Sequence, residues 1–594
     1  MNRIARWTLQ LLATALVAFP SAADAAASDR LATVAERSQF RDTGRYDEVE
    51  RLCGAYAEVW PDAVRCVEFG RTPEGRPLLA LVVSRSGALT AAAARARNLP
   101  VMLVQGGIHA GEIDGKDAGF LALRALLAGE AAPGALASCV VVFVPVFNVD
   151  GHERFGPWNR PNQNGPREMG WRTTAQNLNL NRDYAKADAP EMQAMLRLLG
   201  EWDPELYVDL HATDGAQFEH DVANIPEPVY QGDPALRPLA RELVRELNRE
   251  LTARGSLPLD VYPSFVDGND PASGIEADAP PPRFSTGYWA LRNRLALLVE
   301  THSWKDYATR VRVMREIVAE LVEMTARQGA RWRALQQEAD ARAARLGGQE
   351  VALAFRAGPE SRTIDFRGYA YTRVPSAISG ALDTRYDVTR PEIWRLPLKD
   401  KVVPSTVVEA PRGGYLVPPA HAAWLGERLT VHGIRFERLA GARSGTAVET
   451  FRATKVAFSP SSYEGHMRAT LEGGWAPEQR NLAAGALFVP IAQPKARLVV
   501  ALLEPQAPDS YAAWGFFNTA FEAKEYMDAY VAEEVGRKML AEDPETAAAF
   551  RHRLATDPTF AKDPAARLEF FYRRHPSWDE RLNLYPVYRI AAEP

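Results

Sequence analysis

The feature that most constrains this fold is the run CVVVFVPVF at residues 139–147, which is apolar at almost every position. A strand with one face in water alternates polar and apolar residues, whereas a strand apolar on both faces belongs inside a sheet that is covered on both sides. The sequence therefore predicts a central strand here. Three shorter and mostly apolar runs have strand character too: residues 101–105, 206–210 and 295–299.

Helical patterns separate these runs and continue after them. The last is a long helix that begins near residue 311 and that Gly347 and Gly348 end. Alternating strands and helices predict an α/β domain with a mostly parallel mixed sheet flanked by helices. The other predicted helices cover residues 46–56, 117–127, 190–199 and 236–251.

The pattern changes after Gly348, where short strand-like runs with Gly and Pro between them replace the alternation. Because 594 residues exceed what one core supports, two domains are expected. We predict a first domain over residues 28–346 and a smaller β-rich α+β domain over residues 350–594. Strands are predicted at 351–355, 402–408, 415–417, 434–439 and 498–503, and helices at 526–540 and 564–571.

Residues 1–27 are typical of a secretory signal peptide. Arg3 and Arg6 give a positive start, an apolar run follows, and Ala23-Asp24-Ala25 offers a cleavage site between small residues. An uncleaved membrane anchor is the alternative. No later stretch reaches the ~18 apolar residues that a spanning helix needs. We expect an exported protein, periplasmic or secreted, without a membrane span after cleavage.

Charge and cysteine content exclude two classes of function. The formal net charge of -5 and the lack of a basic stripe argue against a nucleic-acid binder. Three cysteines without a Cys-x-x-Cys pair do not suit a zinc–thiolate site. In an exported protein Cys53 and Cys66 can form a local disulfide or be small buried residues, and both readings stay open. Cys139 is expected in the core.

Three predicted strands are each followed by a residue suited to zinc chemistry. His109 and Glu112 come after the run at 101–105, in GGIHAGEIDG, where the glycines allow a sharp turn. His211 follows the run at 206–210, and Glu300 ends the run LALLVE. Because sites in open α/β sheets form at the carboxyl ends of strands, these side chains should meet. Two histidines and a glutamate make a three-ligand site for one Zn²⁺, and Glu300 is the candidate general base.

Arginines gather in the segment between these motifs. Arg172 stands in GWRTT, and Asn181-Arg182 stands in NLNLNRD. Guanidinium groups bind carboxylates in a bidentate fork and stabilise oxyanions. Other arginines nearby are alternatives for these roles: Arg154, Arg160 and Arg167.

With these motifs in place, residues 46–308 resemble the zinc metallocarboxypeptidases, the carboxypeptidase A-like peptidases. The resembling segments follow in the family's order: FGRTPEGRPLLAL, GGIHAGE, FNVDGHE, Trp171-Arg172, Asn181-Arg182, His211 and Glu300.

The resemblance implies a role for each matched residue. His109, Glu112 and His211 would hold one zinc ion, and Glu300 would be the catalytic glutamate. Arg172 would polarise the scissile carbonyl, while Asn181 and Arg182 would bind the terminal carboxylate of a peptide or protein substrate. Tyr288 is the candidate for the family's substrate-binding tyrosine, with a core aromatic as the alternative.

The chain departs from the family pattern at Asn179, where the family often has an aspartate that orients a zinc histidine. The expected activity is zinc-dependent hydrolysis of C-terminal peptide bonds. A cell-wall peptide hydrolase or an amide deacylase on the same scaffold is the alternative, and a non-catalytic exported binding protein is a third hypothesis. The aromatic segment at 514–518 fits a binding surface or core packing.

Overall fold

The structure is a computed structural model that describes residues 29–594. The predicted signal peptide therefore lies outside the described residues. Among the residues that are described, no helix is long and apolar enough to cross a membrane.

The first part of the chain folds around one eight-stranded mixed sheet, in the order β1-β2-β4-β3-β5-β9-β6-β7. The four central strands β4, β3, β5 and β9 are parallel to one another, and antiparallel neighbours pair on both sides of them. The predicted α/β class with a mixed sheet flanked by helices is thus confirmed. The strands of this part are β1 Val64–Arg71, β2 Pro77–Val83, β3 Val101–Gly106, β4 Val140–Val144, β5 Leu206–Thr213, β6 Val222–Glu227, β7 Pro258–Leu259, β8 Ile275–Glu276 and β9 Leu295–His302.

Two hydrophobic clusters lie on opposite faces of the sheet, because alternate side chains of each strand point to opposite sides. In β3, Met102 and Val104 belong to one cluster, and Val101 and Leu103 belong to the other. The helices of this part cover both faces: Val34–Arg37, Tyr46–Val59, Ala91–Ala96, Asp114–Ala128, Val149–Glu153, Pro190–Trp202, Arg237–Ala253, Ser285–Leu291 and Tyr307–Ala343.

The rest of the chain is rich in antiparallel strands, and four helices cluster towards its C-terminus. Its longest strands form two hairpins, β11 with β12 and β16 with β17. The strands are β10 Glu350–Ala357, β11 Arg362–Pro375, β12 Leu382–Lys399, β13 Val402–Glu409, β14 Gly414–Val417, β15 Glu437–Arg438, β16 Arg443–Phe458, β17 Ala469–Leu482, β18 Leu487–Pro490 and β19 Tyr588–Ile590. The helices are Pro419–Val431, Ala496–Leu503, Ala529–Glu542, Pro544–Thr556, Pro558–Lys562 and Pro564–Tyr572.

The strand predicted at residues 498–503 is wrong, because the helix Ala496–Leu503 occupies this segment. All but one of its residues are buried, so the helix carries apolar side chains on every side. Its sequence therefore lacks the alternation of polar and apolar residues that marks a helix with one exposed face. A short run that is apolar on every side does not distinguish a buried strand from a buried helix.

The two parts of the chain share one core. The hydrophobic cluster on one face of the eight-stranded sheet contains Leu103 and Met195 from the first part together with Tyr415 and Leu487 from the second. In addition, β8 of the first part pairs in parallel with the end of β12. The predicted domain boundary falls in the turn after the helix Tyr307–Ala343, and the hydrophobic core continues across it. The second part thus helps to cover the sheet.

The helix Tyr46–Val59 and the strand β1 bring two cysteines close together. Cys53 and Cys66 form a disulfide, with their Cα atoms 5.3 Å apart. Cys139 is a buried free cysteine, as expected.

Candidate metal centre and surrounding site

The turn after β3 brings His109 and Glu112 to the carboxyl end of the sheet. Gly107 has a φ of +60°, which a glycine adopts without strain. A Cβ atom at Gly106 would stand 2.6 Å from the Pro145 carbonyl oxygen, so a larger residue does not fit there. The N–H of Glu112 donates to the His109 carbonyl at 2.9 Å, which folds the two side chains towards the same point.

His211 completes a cluster with these two residues. One potential ligand atom from each of His109, Glu112 and His211 lies within 4.8 Å of the others. Glu112 sits in the middle, because its Oε1 is 3.0 Å from His109 Nδ1 and its Oε2 is 3.0 Å from His211 Nδ1. All three side chains are buried. The structure thus brings together the three residues predicted as metal ligands.

Asn179 determines which nitrogen of His109 faces the cluster. Its Oδ1 accepts from the backbone N–H of Asn181 at 3.0 Å, so this atom is an acceptor, and it lies 3.1 Å from His109 Nε2. The proton of His109 therefore sits on Nε2. Its Nδ1 has no hydrogen-bond partner with acceptable geometry within residues 29–594. A buried imidazole nitrogen with a free lone pair is what a metal ligand requires.

Asp209 lies behind His211, on the side of the ring away from Glu112. Its Oδ2 lies 2.9 Å from His211 Nε2, and the hydroxyl of Ser285 donates to the same oxygen. The side-chain amide of Gln105 donates to the other oxygen at 3.1 Å. A carboxylate thus backs the second histidine, while an amide backs the first. The donor set fits a divalent ion such as Zn²⁺, which takes histidine nitrogen and carboxylate oxygen.

The charges around the cluster favour an ionised Glu112 with deprotonated His109 Nδ1. Burial opposes ionisation of Glu112, but Arg160 and the two histidines outweigh it and hold its pKa well below the usual range. Burial lowers the pKa of His109 to about 4. Burial acts in the same direction on His211, yet Asp209 outweighs it and holds that pKa well above the usual value.

Glu300 lies beside the cluster on the next strand. In the parallel pair of β5 and β9, Glu300 is in register with His211. Only 6% of Glu300 is exposed, and it lines the same cavity as the cluster. Burial, together with the carboxylates of Glu112 and Asp209, raises its pKa to about 8, although His211 and Arg160 oppose the shift. A carboxyl group with a raised pKa in a cleft suits proton transfer.

Two arginines reach Glu112 from the segment after β4. The Nη1 atom of Arg172 is 3.2 Å from Glu112 Oε1, and the Nη1 atom of Arg160 is 2.8 Å from the same oxygen. Arg160 is the more buried of the two, and its Nη2 donates to the Ala212 carbonyl at 3.2 Å. Sequence reasoning named Arg160 only as an alternative, whereas the structure brings both arginines to the cluster.

The other two alternatives have different contacts. The guanidinium of Arg154 lies over the ring of Trp171, at 4.2 Å from its centroid. Arg167 forms an exposed ion pair with Asp42. Neither residue lines the cavity of the cluster.

Asn181 and Arg182 lie in a short 3₁₀ turn, Leu180–Arg182, and both line the cavity. The backbone N–H of Ser285 donates to Asn181 Oδ1 at 3.1 Å, which leaves the Nδ2 amide of Asn181 for other partners. Arg182 makes no ion pair with any carboxylate of the described chain, and its guanidinium lies 4.3 Å from the centre of the Phe284 ring. Burial and the nearby charges of Arg172 and Arg283 lower the pKa of Arg182, which shows how cationic this side of the cavity is.

Tyr288 does not reach the cavity, so its predicted place in the site is corrected. Its side chain is fully buried, and its hydroxyl is 3.0 Å from Nδ1 of His432 in the second part of the chain. Its helix, Ser285–Leu291, turns this residue into the core between the two parts. The cavity is lined instead by Tyr262, which sequence reasoning missed. Glu300 is the main cause of the raised pKa of Tyr262, so the two groups are close.

The cavity that holds these residues has a volume of about 670 Å³. From the metal cluster it extends along the faces of β6 and β9, past Ile225 and Leu298. Arg362 and Asp400, from the second part of the chain, also line it. A volume of this size is within the usual range of ligand-binding sites.

Comparison with known proteins gives related sequences and structures. Residues 49–256 match the model of the family described as zinc carboxypeptidase. Carboxypeptidase 2 of Trichophyton tonsurans is 34% identical over 103 residues, and that of Trichophyton rubrum is 33% identical over the same length. Each alignment covers 17% of this chain and 18% of the relative, so the match spans less than a fifth of these curated relatives.

Solved structures of carboxypeptidases are similar at low sequence identity. A putative carboxypeptidase A from Shewanella denitrificans gives a TM-score of 0.36 at 17% identity, covering 47% of this chain and 68% of that one. Carboxypeptidase A from Helicoverpa armigera gives 0.35 at 16% identity, covering 53% of this chain and 78% of that one.

The family match includes the three residues of the metal cluster and the arginine segment, and it ends before Glu300. The match to the family model covers about a third of the chain, and over residues 49–256 this chain is similar to the zinc carboxypeptidase family.

Proposed function

We propose that this protein is a zinc-dependent carboxypeptidase, which hydrolyses the C-terminal peptide bond of peptides or proteins. The observation that carries the proposal is one cavity that contains a His-Glu-His cluster, a buried glutamate and an arginine that has no carboxylate partner among residues 29–594. These are the groups needed to bind a metal, to move a proton and to hold a terminal carboxylate.

His109, Glu112 and His211 would hold a single Zn²⁺ through two imidazole nitrogens and a carboxylate. When bound, this ion would polarise the scissile carbonyl and lower the pKa of water in the cavity. The supporting observation is the orientation of the His109 ring, whose Nε2 lies 3.1 Å from Asn179 Oδ1 and whose Nδ1 lies 3.0 Å from Glu112 Oε1.

Glu300 is the proposed general base. Its carboxylate takes a proton from the attacking water and returns it to the amine that leaves. Burial beside Glu112 and Asp209 supports this role, because it raises the proton affinity of the carboxylate. The charge that develops on the carbonyl oxygen is stabilised by Arg172, and Arg160 adds a second guanidinium close to the same point.

Asn181 and Arg182 would bind the terminal carboxylate and so set which bond is cut. A carboxylate would give Arg182 the negative partner that the described chain does not provide. The side-chain amide of Asn181 can donate to the same group, because Ser285 occupies its oxygen. This contact would place the last peptide bond of the substrate at the metal cluster, so that only the C-terminal residue is removed.

We also propose that the protein is exported, to the periplasm or the medium. The disulfide between Cys53 and Cys66 supports this compartment, since disulfides persist in oxidising environments.

The test compares one peptide with a free and with an amidated C-terminus, with and without a chelator. We expect cleavage of the free peptide only, with loss on chelation and recovery on addition of zinc. Equal cleavage of both peptides would contradict the exopeptidase assignment and favour an amide hydrolase of another kind.

The base is tested by Glu300→Gln, which keeps the size of the side chain and removes the proton acceptor. Turnover should fall by about 10²–10⁴-fold, since this is what general acid–base catalysis contributes. Zinc content, measured by mass spectrometry, should stay the same. Turnover near that of the wild type would overturn the role of Glu300.

A further inference from the structure

The loop that joins β16 to β17 reaches the cavity side of the first part of the chain. The side-chain Nε of Arg182 donates to the hydroxyl oxygen of Tyr463 in this loop at 3.1 Å. The Nη1 of Arg182 donates to the Asn181 carbonyl at 2.7 Å, and Phe284 lies against the guanidinium plane. Three groups thus hold the guanidinium of Arg182, and one of them, Tyr463, belongs to the second part of the chain.

The same loop makes a second contact with the site. Glu464 accepts the backbone N–H of Asn179 at 2.9 Å through its Oε2. Asn179 is the residue whose side chain fixes the tautomer of His109. Adjacent residues of one loop therefore contact Asn179, which hydrogen-bonds to His109, and Arg182, which is the cationic group.

The loop is itself held in place. The ring of Tyr463 stacks on Trp514, with centroids 5.9 Å apart and planes inclined by 10°. Its backbone forms hydrogen bonds in both directions with His466. His466 in turn lies 2.7 Å from Asp188, which follows shortly after Arg182 in the chain. The phenol oxygen of Tyr463 is therefore a fixed acceptor.

We propose that Tyr463 is a positioning residue that orients Arg182 for the terminal carboxylate of the substrate. This inference rests on the proposed function of Arg182. Of the five N–H donors of a guanidinium, one is taken by Tyr463 and one by Asn181, which leaves three on Nη1 and Nη2. A carboxylate can bind a guanidinium in a bidentate way through its two terminal nitrogens, Nη1 and Nη2.

The effect of Tyr463 is confined to binding. Arg182 carries several rotatable bonds, and it stands among like charges from Arg172 and Arg283. Without the acceptor on Tyr463, the guanidinium is free to turn away, and the substrate must order it on binding. We expect weaker binding of ligands with a free carboxylate and little change in the chemical step.

The experiment uses the full-length, zinc-loaded protein with Glu300→Gln, so that ligands bind without turnover. Calorimetry measures the dissociation constants of a short N-acetylated peptide with a free C-terminus and of its amide. Tyr463→Phe in this background keeps the ring on Trp514 and removes the hydroxyl. The dissociation constant of the free peptide should rise about tenfold, and that of the amide should change less than about twofold.

A double variant separates positioning from general loosening of the fold. Because Tyr463 acts through Arg182, Tyr463→Phe should have no further effect once Arg182→Ala is present. Tyr526→Phe is the matched control, since this tyrosine is 76% exposed and does not line the cavity. Equal losses of affinity with and without Arg182, or equal losses for free peptide and amide, would overturn the proposal.

The outcome also separates the inference from the proposed function. If the protein prefers the free peptide and Tyr463→Phe changes nothing, the inference fails while the carboxylate site stands. If the protein does not distinguish the free peptide from the amide, the carboxylate role of Arg182 fails, and the inference fails with it. If discrimination and the Tyr463 effect are both seen but the wild type hydrolyses nothing, the inference stands and the catalytic proposal fails.

Discussion

The two parts of this chain bury their strands differently. Every residue of β3, β4 and β5 is buried, and most of these residues are apolar. In β12 and β17, most residues are exposed or only half-buried. The first part therefore places its chemistry where buried strands end. The second part contributes side chains to the surroundings of the cavity from its loops and hairpins: Tyr463, Arg362 and Asp400.

The difference teaches that the residues of the metal cluster come from the first part of the chain, whereas the second part helps to orient a residue that surrounds it. The metal cluster and Glu300 all belong to the first part. The orientation of Arg182 depends on Tyr463, 281 positions further along the chain. We expect changes in the first part to remove the metal or the reaction, and changes in the second part to alter substrate binding and stability.

The largest effect should come from His211→Ala, which removes one of three metal ligands. Zinc content should fall, and turnover should drop by about 10³-fold or more, since the ion supplies most of the activation of a hydrolytic site. Metal analysis and a peptide assay measure both quantities. His552→Ala, an exposed histidine of the second part, is the control. Full activity of His211→Ala without zinc would contradict the assignment of chemistry to the first part.

A smaller effect is expected when the partner of that ligand is changed. Asp209→Asn removes the carboxylate behind His211, and zinc affinity should fall by about 10–100-fold. Competition with a chelator of known affinity measures it. The reciprocal variant Asn179→Asp gives His109 the carboxylate that His211 already has, and zinc should bind at least as tightly as in the wild type. If Asp209→Asn binds zinc normally, the asymmetry between the two histidines has no consequence for the metal.

The smallest effect should come from the contact between the two parts at Asp188. Burial opposes its ionisation, but His466, Lys186 and Arg428 outweigh it and lower the pKa to about 2. The stabilisation of the folded state by the ionised Asp188 is therefore complete above the pKa that this carboxyl group has in the unfolded chain. It is lost as the pH falls towards 2. Asp188→Asn should cost about 2 kcal/mol at pH 7, and less as the pH falls from 5 to 3.

Thermal melts across this pH range measure the difference between Asp188→Asn and the wild type. Asp365→Asn is the control, because 72% of its side chain is exposed. A loss of stability that is the same at pH 3 and pH 7 would show that the charge of Asp188 does not join the two parts.

Sequence reasoning succeeded where a residue's position follows from its own strand. His211 and Glu300 end apolar runs on neighbouring parallel strands, so their meeting follows from the rule that such ends share one edge. Asp209 could have been found in the same way. It stands two residues before His211, and residues two apart point to the same face of a strand.

Sequence reasoning failed where the position of a side chain depends on a distant segment of the chain. Tyr288 has the right type for a substrate contact, but His432, 144 positions away, draws it into the core. Tyr463 stands in a loop with no chemical pattern of its own, and its contact with Arg182 exists only after the two parts have packed together. No period or motif within either segment predicts such contacts.

The short pairing between β8 and β12 has a practical consequence. A chain shortened to its family-like part would leave Ile275 without its strand neighbour Leu398, and Tyr288 without His432. It would also expose the apolar residues of the first part that pack against the second part, and such apolar patches cause aggregation. Truncation at residue 346 should therefore give insoluble protein, and a shortened chain that keeps only the family-like part should collect in inclusion bodies.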